Sequence, residues 1–190
     1  MRKLKLQVQI SVNGFIAKPG GELDWMTWNW SDDIKAYVTE LTNSMDTIIL
    51  GRKLAEGFIP YWADVKSKRD HPEYEAGKIF TDTQKIVFSK TLSKSLWDNT
   101  TVVNGDLVTE IKKLKDKSGK GIIAYGGAEF VSSLIKENLI DEYYLFVNPV
   151  AIKEGLTIFD KIQDMKGLDL IESKSFDCGI NLLCYKVNAD

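Results

Sequence analysis

Gly121-Ile122-Ile123-Ala124-Tyr125-Gly126-Gly127-Ala128-Glu129-Phe130-Val131 is the stretch that decides the fold. A short apolar run ends in two glycines, and Phe130, Val131, Leu134, Ile135 and Leu139 then recur at helical spacing. The order is strand, tight turn, helix. Paired glycines at such a junction let the backbone turn sharply and come close to a ligand. The free N–H groups of the new helix face that ligand, with the positive end of the helix dipole behind them. A phosphate suits the place. The segment is neither a G-x-G-x-x-G fingerprint nor a G-x-x-x-x-G-K-[ST] loop, so a plain tight connection in an α/β sheet is the alternative.

Upstream, the same grammar repeats. Asp46 to Leu50 is a short apolar strand running into Gly51-Arg52-Lys53, and Lys85 to Phe88 is another that ends in Ser89-Lys90-Thr91. Thr101 to Val103 leads through Asn104-Gly105-Asp106 to a helix outlined by Leu107, Val108, Ile111 and Leu114. Between Pro60 and Thr83 the chain is polar and reads as a surface excursion with one helix at most. Nearer the start, Leu4, Leu6, Val8, Ile10 and Val12 alternate with Gln7 and Gln9, a strand whose polar face is either a solvated edge or a cleft lining of amides. A loop rich in Trp25, Trp28 and Trp30 follows, either a lid over something flat or packing under a long loop. Ser31 then opens a helix with Asp32 and Asp33 in its first turn and Ile34, Tyr37, Val38 and Leu41 as its stripe.

Downstream, Tyr143 to Val150 is a strand, and Leu170 to Phe176 and Ile180 to Val187 form a hairpin through Asp177-Cys178-Gly179. Strands alternating with helices predict a three-layer αβα domain over residues 1–190, with a mainly parallel central sheet and an antiparallel C-terminal hairpin.

Composition narrows the function. With 190 residues and a formal charge of −2, the chain offers no general attraction to nucleic acid or anionic membrane, so an anionic ligand must be held by local groups. One histidine, His71, excludes multi-histidine metal sites and makes a Ser-His-Asp hydrolase improbable. No apolar run reaches membrane-spanning length, no signal peptide is evident, and Cys178 and Cys184 read as a reduced pair, so a cytoplasmic setting is expected.

In open α/β sheets the carboxyl ends of parallel strands share one edge. The turns at Gly51-Arg52-Lys53, Ser89-Lys90-Thr91 and Gly126-Gly127-Ala128 are therefore expected to converge on one crevice, suited to a ligand with phosphates spread along its length, such as a dinucleotide.

The ordered set Ser11 to Ala17, Ile49-Leu50-Gly51-Arg52, Lys85 to Leu92, Tyr125 to Glu129, and Leu139 to Glu142 running to Pro149 resembles the dihydrofolate-reductase-like superfamily. The nearer branch is the C-terminal reductase domain of the bifunctional riboflavin-biosynthesis deaminase/reductase. The resemblance implies an NADPH-dependent oxidoreductase, similar to dihydrofolate reductase or 5-amino-6-(5-phosphoribosylamino)uracil reductase, that passes hydride to a small planar nitrogen heterocycle. It implies that Gly51, Arg52, Lys53, Leu54, Ser89, Lys90 and Thr91 hold the adenosine phosphates, with Arg52, Lys53 and Lys90 favouring NADPH over NADH. Tyr125, Gly126, Gly127, Ala128 and Glu129 would cradle the pyrophosphate, and Ile16 and Ala17 would touch the nicotinamide. Asp33 lies on the helix where dihydrofolate reductases keep one carboxylate and is the candidate acid, with Asp24 its rival, and Gln9 and Tyr37 are expected at the substrate. A homodimer with a small-molecule substrate, no metal, no nucleic acid and no membrane completes the expectation, and a non-catalytic nucleotide-binding module is the alternative. Two departures stand out. Asn13 replaces the branch's common aspartate, and Ile152-Lys153-Glu154-Gly155 replaces its Gly-x-Gly.

Overall fold

The first strand lies inside the sheet, between two parallel neighbours. In the computed structural model, which describes residues 1–165 and 167–188, β1 (Leu4–Ser11) pairs in parallel with β5 (Gly121–Tyr125) on one side and β6 (Glu142–Asn148) on the other. Beyond β5 lie β2 (Met45–Gly51), β3 (Gln84–Phe88) and β4 (Thr100–Val103), all parallel. Beyond β6 the hairpin of β7 (Leu168–Ser175) and β8 (Asn181–Val187) is antiparallel, giving the order β4-β3-β2-β5-β1-β6-β8-β7. Gly179, with φ of +86°, makes the hairpin turn that an L side chain would strain.

Helices cover both faces, as the apolar stripes require. Leu4, Leu6, Val8 and Ile10 of β1 join a core closed by Ile111 and Leu114 of α4 (Leu107–Asp116) and Val131, Leu134 and Ile135 of α5 (Ala128–Lys136). On the other face Ile48, Leu50, Ile123 and Phe146 pack beneath α1 (Asp32–Asn43), α2 (Arg52–Ser67) and α3 (Tyr74–Asp82). Val12 lies past the end of β1 and is exposed, so the buried alternation stops at Ile10. Among the described residues no helix is long and apolar enough to cross a membrane.

The segment from Pro60 to Thr83 differs from the expected surface excursion. It carries the second half of α2 and all of α3. Pro60 sits inside α2 but faces solvent, where the lost N–H costs least, while Ala55, Ile59, Trp62 and Val65 keep the apolar stripe running past it. Trp62 packs on Phe80 of α3 with ring centroids 4.4 Å apart. At Gly77 a Cβ would stand 2.8 Å from a methyl of Val65, so only glycine lets the two helices approach this closely.

Lys85 of β3 closes α3. Its side chain is fully buried, and Nζ donates to the carbonyl oxygens of Phe80, Thr81 and Thr83 at 3.0, 2.8 and 2.7 Å, a cation on the negative end of the helix dipole. Lys85→Met should leave three carbonyls unpartnered and cost about 2–3 kcal/mol in chemical denaturation; an unchanged midpoint would show that these bonds contribute nothing net.

Candidate active site

Because six neighbouring strands run parallel, their carboxyl ends form one rim. Gly51 lies opposite Phe88 in the β2–β3 ladder, and Ile49 lies opposite Ala124 in β2–β5. The turns after β3, β2 and β5 thus stand side by side, roughly 10 Å from first to third at ordinary strand spacing. α2 leaves β2 toward one face and α5 leaves β5 toward the other, which opens a crevice between them. Neither helix has a side-chain cap at its start, so the first-turn N–H groups of both are left for another acceptor.

The glycines of the rim separate into two kinds. A Cβ on Gly51 would stand 2.8 Å from the Cβ of Phe130, so glycine is needed there for α5 to lie against β2. Gly127 has φ of +99° and is needed for the turn itself. Gly126 is different: its nearest contact for an added Cβ is a Val8 methyl at 3.9 Å, and its φ lies outside the left-handed region. Among the described residues no contact and no backbone angle requires glycine at 126.

The other rim residues divide by what reaches the edge. Lys53 is exposed and forms no ion pair among the described residues, whereas Arg52 pairs with Glu56 at 2.7 Å. Lys90 donates to the carbonyls of Asn104 and Gly105, each at 3.0 Å, tying the ends of β3 and β4. The Ser89 hydroxyl accepts from the N–H groups of Thr91 and Leu92 and builds that turn. Leu54 packs toward Gly127. Tyr125 keeps its ring in the core, stacked on Phe58 at 5.4 Å, so only its backbone reaches the rim; burial raises its phenol well above the ordinary value. Glu129 pairs with Lys161 at 2.5 Å. Ile16 is buried in the α5-side core, and Ile16 and Ala17 pair through backbone bonds with Leu156.

At the ends of β1 and β6 the rim is amide and indole. Gln9 lies on the α1 face, and its Oε1 accepts from Nδ2 of Asn148 at 2.8 Å. Asn148, fully buried, also donates to the Phe146 carbonyl and accepts from the Thr27 N–H at 2.9 Å, which pins the tryptophan loop over the strand ends. Gln7, one pleat back, is buried too, so the polar face of β1 is no solvated edge. Gln7 Oε1, Gln9 Nε2, Trp25 Nε1 and Trp30 Nε1 are buried without a partner among the described residues. Beside them Trp25 lines an open depression of about 350 Å³ with Lys18, Pro19, Val150 and Ile152. A larger one of about 480 Å³ lies at the opposite edge, between Thr42, Asp46, Asp82 and Lys120. Neither depression is lined by any of the three turns; the smaller adjoins the carboxyl ends of β1 and β6, and the larger lies at the opposite edge.

The two candidate carboxylates have other duties. Asp33 accepts from the Ser31 hydroxyl and from the N–H groups of Ile34 and Asp177, locking α1 to the β7–β8 turn. The Ser31 hydrogen bond, with those N–H groups, holds it below the ordinary carboxylate range. Asp24 is exposed and paired with Lys18 at 2.8 Å, a hydrogen bond that lowers it likewise. Both are anions at neutral pH, not stored protons. Tyr37 donates to Glu172 at 2.8 Å and packs edge-on against Phe146 and Phe176, so its hydroxyl faces β7; burial raises its phenol.

Asn13 shows why an amide replaces an acid here. Its Oδ1 accepts from the Ile152 N–H at 3.1 Å while its Nδ2 donates to the Ile152 carbonyl at 2.6 Å. An aspartate could make only the first of these bonds. The sequence reading passed over Asn148, though a polar residue ending an apolar strand just before Pro149 was the available signal. Among the described residues no group of three or more His, Cys, Asp or Glu side chains could hold a metal ion.

The chain belongs to the family described as the RibD C-terminal domain, which matches residues 2–182. YyaP of Bacillus subtilis (strain 168) is 30% identical over 190 residues, covering 98% of this chain and 96% of that protein. A putative riboflavin biosynthesis protein from Shewanella sp. PV-4 superposes with a TM-score of 0.73 at 21% identity, each chain covered in full. A diaminohydroxyphosphoribosylaminopyrimidine deaminase/5-amino-6-(5-phosphoribosylamino)uracil reductase from Thermotoga maritima does so with a TM-score of 0.69 at 16% identity, over 98% of this chain and 57% of that one. The family and its α/β reductase-like fold are thereby established.

Asn148→Ala should cost about 2–3 kcal/mol through three lost hydrogen bonds and speed amide exchange at Thr27. Slow exchange at Thr27 in the variant would mean the loop is held by other contacts. Asp33→Asn should lower the melting temperature by loosening α1 from the hairpin turn, and a variant that melts as wild type would free Asp33 for another role.

Proposed function

We propose that the protein is an NADPH-dependent reductase that passes hydride to a small planar nitrogen heterocycle. The observation that carries this reading is the rim: three adjacent turns, two helix starts without side-chain caps, and a glycine at 126 that no contact or backbone angle among the described residues requires. That arrangement fits an elongated ligand with several phosphates. The N–H groups at the starts of α2 and α5 would hold the pyrophosphate. Lys53, which forms no ion pair among the described residues, and Lys90 and Arg52, which have partners of modest cost, would meet a 2′-phosphate. Backbone at Ile16 and Ala17, fixed by Leu156, would border the nicotinamide. The bound nicotinamide supplies the reducing equivalent.

The chain's own part is then binding, orientation and exclusion of water. The loop held by Asn148 covers the strand ends, and Gln9 presents its amide to the acceptor. A homodimer, expected from the resemblance, would pair along β7, an open edge on which Leu170 and Ile171 are half exposed.

One observation favours the second reading, a nucleotide-binding module without turnover: Asp33 and Asp24 are both committed elsewhere. Turnover separates the two readings. An enzyme oxidises NADPH when an acceptor is supplied, and a module binds it without loss.

Gly126→Ala should fold with wild-type stability, since the methyl meets no atom closer than 3.9 Å, yet weaken NADPH by about tenfold or more. Lys53→Ala should weaken NADPH about tenfold while leaving NADH within about twofold, since an exposed cation reading a dianionic phosphate contributes on the order of 1–2 kcal/mol. Titration followed by nicotinamide fluorescence measures both. Unchanged NADPH affinity in Gly126→Ala, or equal losses for the two cofactors in Lys53→Ala, contradicts the assignment.

A further inference from the structure

The two ends of the rim differ in charge. Arg52, Lys53 and Lys90 stand at the ends of β2 and β3, at least two strands from β1, or roughly 10 Å. At the β1–β6 end the charged groups offset one another. Lys18 is neutralised by Asp24, and Lys153 stands beside Glu154 on the wall of the smaller depression.

What this end offers is neutral and unpaired. Among the described residues, Gln9 Oε1 is taken by Asn148, which leaves Nε2 as a free donor; Trp25 and Trp30 each hold an indole N–H without an acceptor; Gln7 Oε1 is an acceptor without a donor. Gln7 is 94% buried, its exposure being 6%. In register with Tyr125, Tyr144 and Phe146, it and Gln9 lie on the face that Trp30 packs against. Each unpartnered polar atom in such a place costs about 1–3 kcal/mol. Gln7 and Gln9 share the α1 face of β1, and Asn148 ties Gln9 to the loop that carries Trp25, so these groups border one region whose missing partners a ligand can supply.

Resting on the reductase reading above, we propose that the acceptor end of the crevice takes an uncharged, unphosphorylated molecule with ring carbonyl and N–H groups, read by Gln9, Gln7 and Trp25. Gln9 and the Trp25 indole donate to the carbonyl oxygens, and Gln7 accepts from the ring N–H. A phosphate on the same molecule would find at this end only the start of α1, whose first turn carries Asp32 and Asp33, and no net positive charge, so it would lose hydration without compensation.

The test uses the full chain and two pairs of probes, uridine against uridine 5′-monophosphate and uracil against orotate, followed by quenching of tryptophan emission. The neutral member of each pair should bind at least threefold more tightly than its anionic counterpart. Gln9→Leu should weaken uridine and uracil tenfold or more with NADPH affinity unchanged. It also removes the hydrogen bond from Asn148, so the comparison is made at a temperature where circular dichroism shows the variant folded. Trp25→Phe, which keeps a ring and deletes the N–H, should weaken the neutral probes about fivefold. Tighter binding of the anionic probes, no quenching by any probe, or wild-type affinity in Gln9→Leu would overturn the proposal. The two readings fail separately. A protein that binds NADPH but ignores the neutral rings defeats this inference alone, and one that binds the rings but not NADPH defeats the reductase assignment.

Discussion

Parallel pairing of β1 with a strand on each side is the constraint from which the rest follows. A strand in that position has both faces under helices, so every polar side chain it carries must be satisfied inside the protein or by something the protein binds. Four apolar residues meet the demand on the α5 side. On the α1 side Gln7 Oε1 and Gln9 Nε2 find no partner among the described residues, and Gln9 lies toward the carboxyl edge where the three turns assemble. Fold and site are thus the same fact seen from two faces of one strand.

The glycines and the amides answer different physical questions. Gly51 and Gly127 are there because the chain could not pack or turn otherwise, and a reading of sequence alone gives them the same weight as Gly126. Only the geometry isolates Gly126 as a position where an added methyl meets no close contact among the described residues. Asn13 and Asn148 likewise use both ends of the amide, each joining a donor to an acceptor on a different segment. Between them they fix residues 148–152 and the tryptophan loop to the end of β1.

Most of the sheet was legible because its strands announce themselves. The two-residue alternation of Leu4 to Ile10, the apolar run before Gly126 and the hairpin at Gly179 are local signals, and they survive into the structure. Pro60 misled because its cost depends on which side of the helix it faces, and that is set by Trp62 and Phe80 meeting across two helices. The rim was legible as a consequence of parallel order. At the β1–β6 end Gln9 was legible as a candidate, but its partner Asn148 was not, because Asn148 draws its meaning from Thr27 and Gln9, residues more than a hundred positions away. Asp33 looked like a free first-turn carboxylate since nothing local reveals that the Asp177 N–H comes back to meet it.

The central claim is that one elongated anionic ligand is gripped by all three turns at once. Hydrogen–deuterium exchange on the full chain, with and without NADPH, tests it most directly. The account predicts simultaneous slowing in residues 52–55, 90–92 and 127–130, with the opposite edge around Asp46 and Lys120 unchanged. Slowing in one turn alone, or at the Asp46 edge in place of the rim, would contradict it.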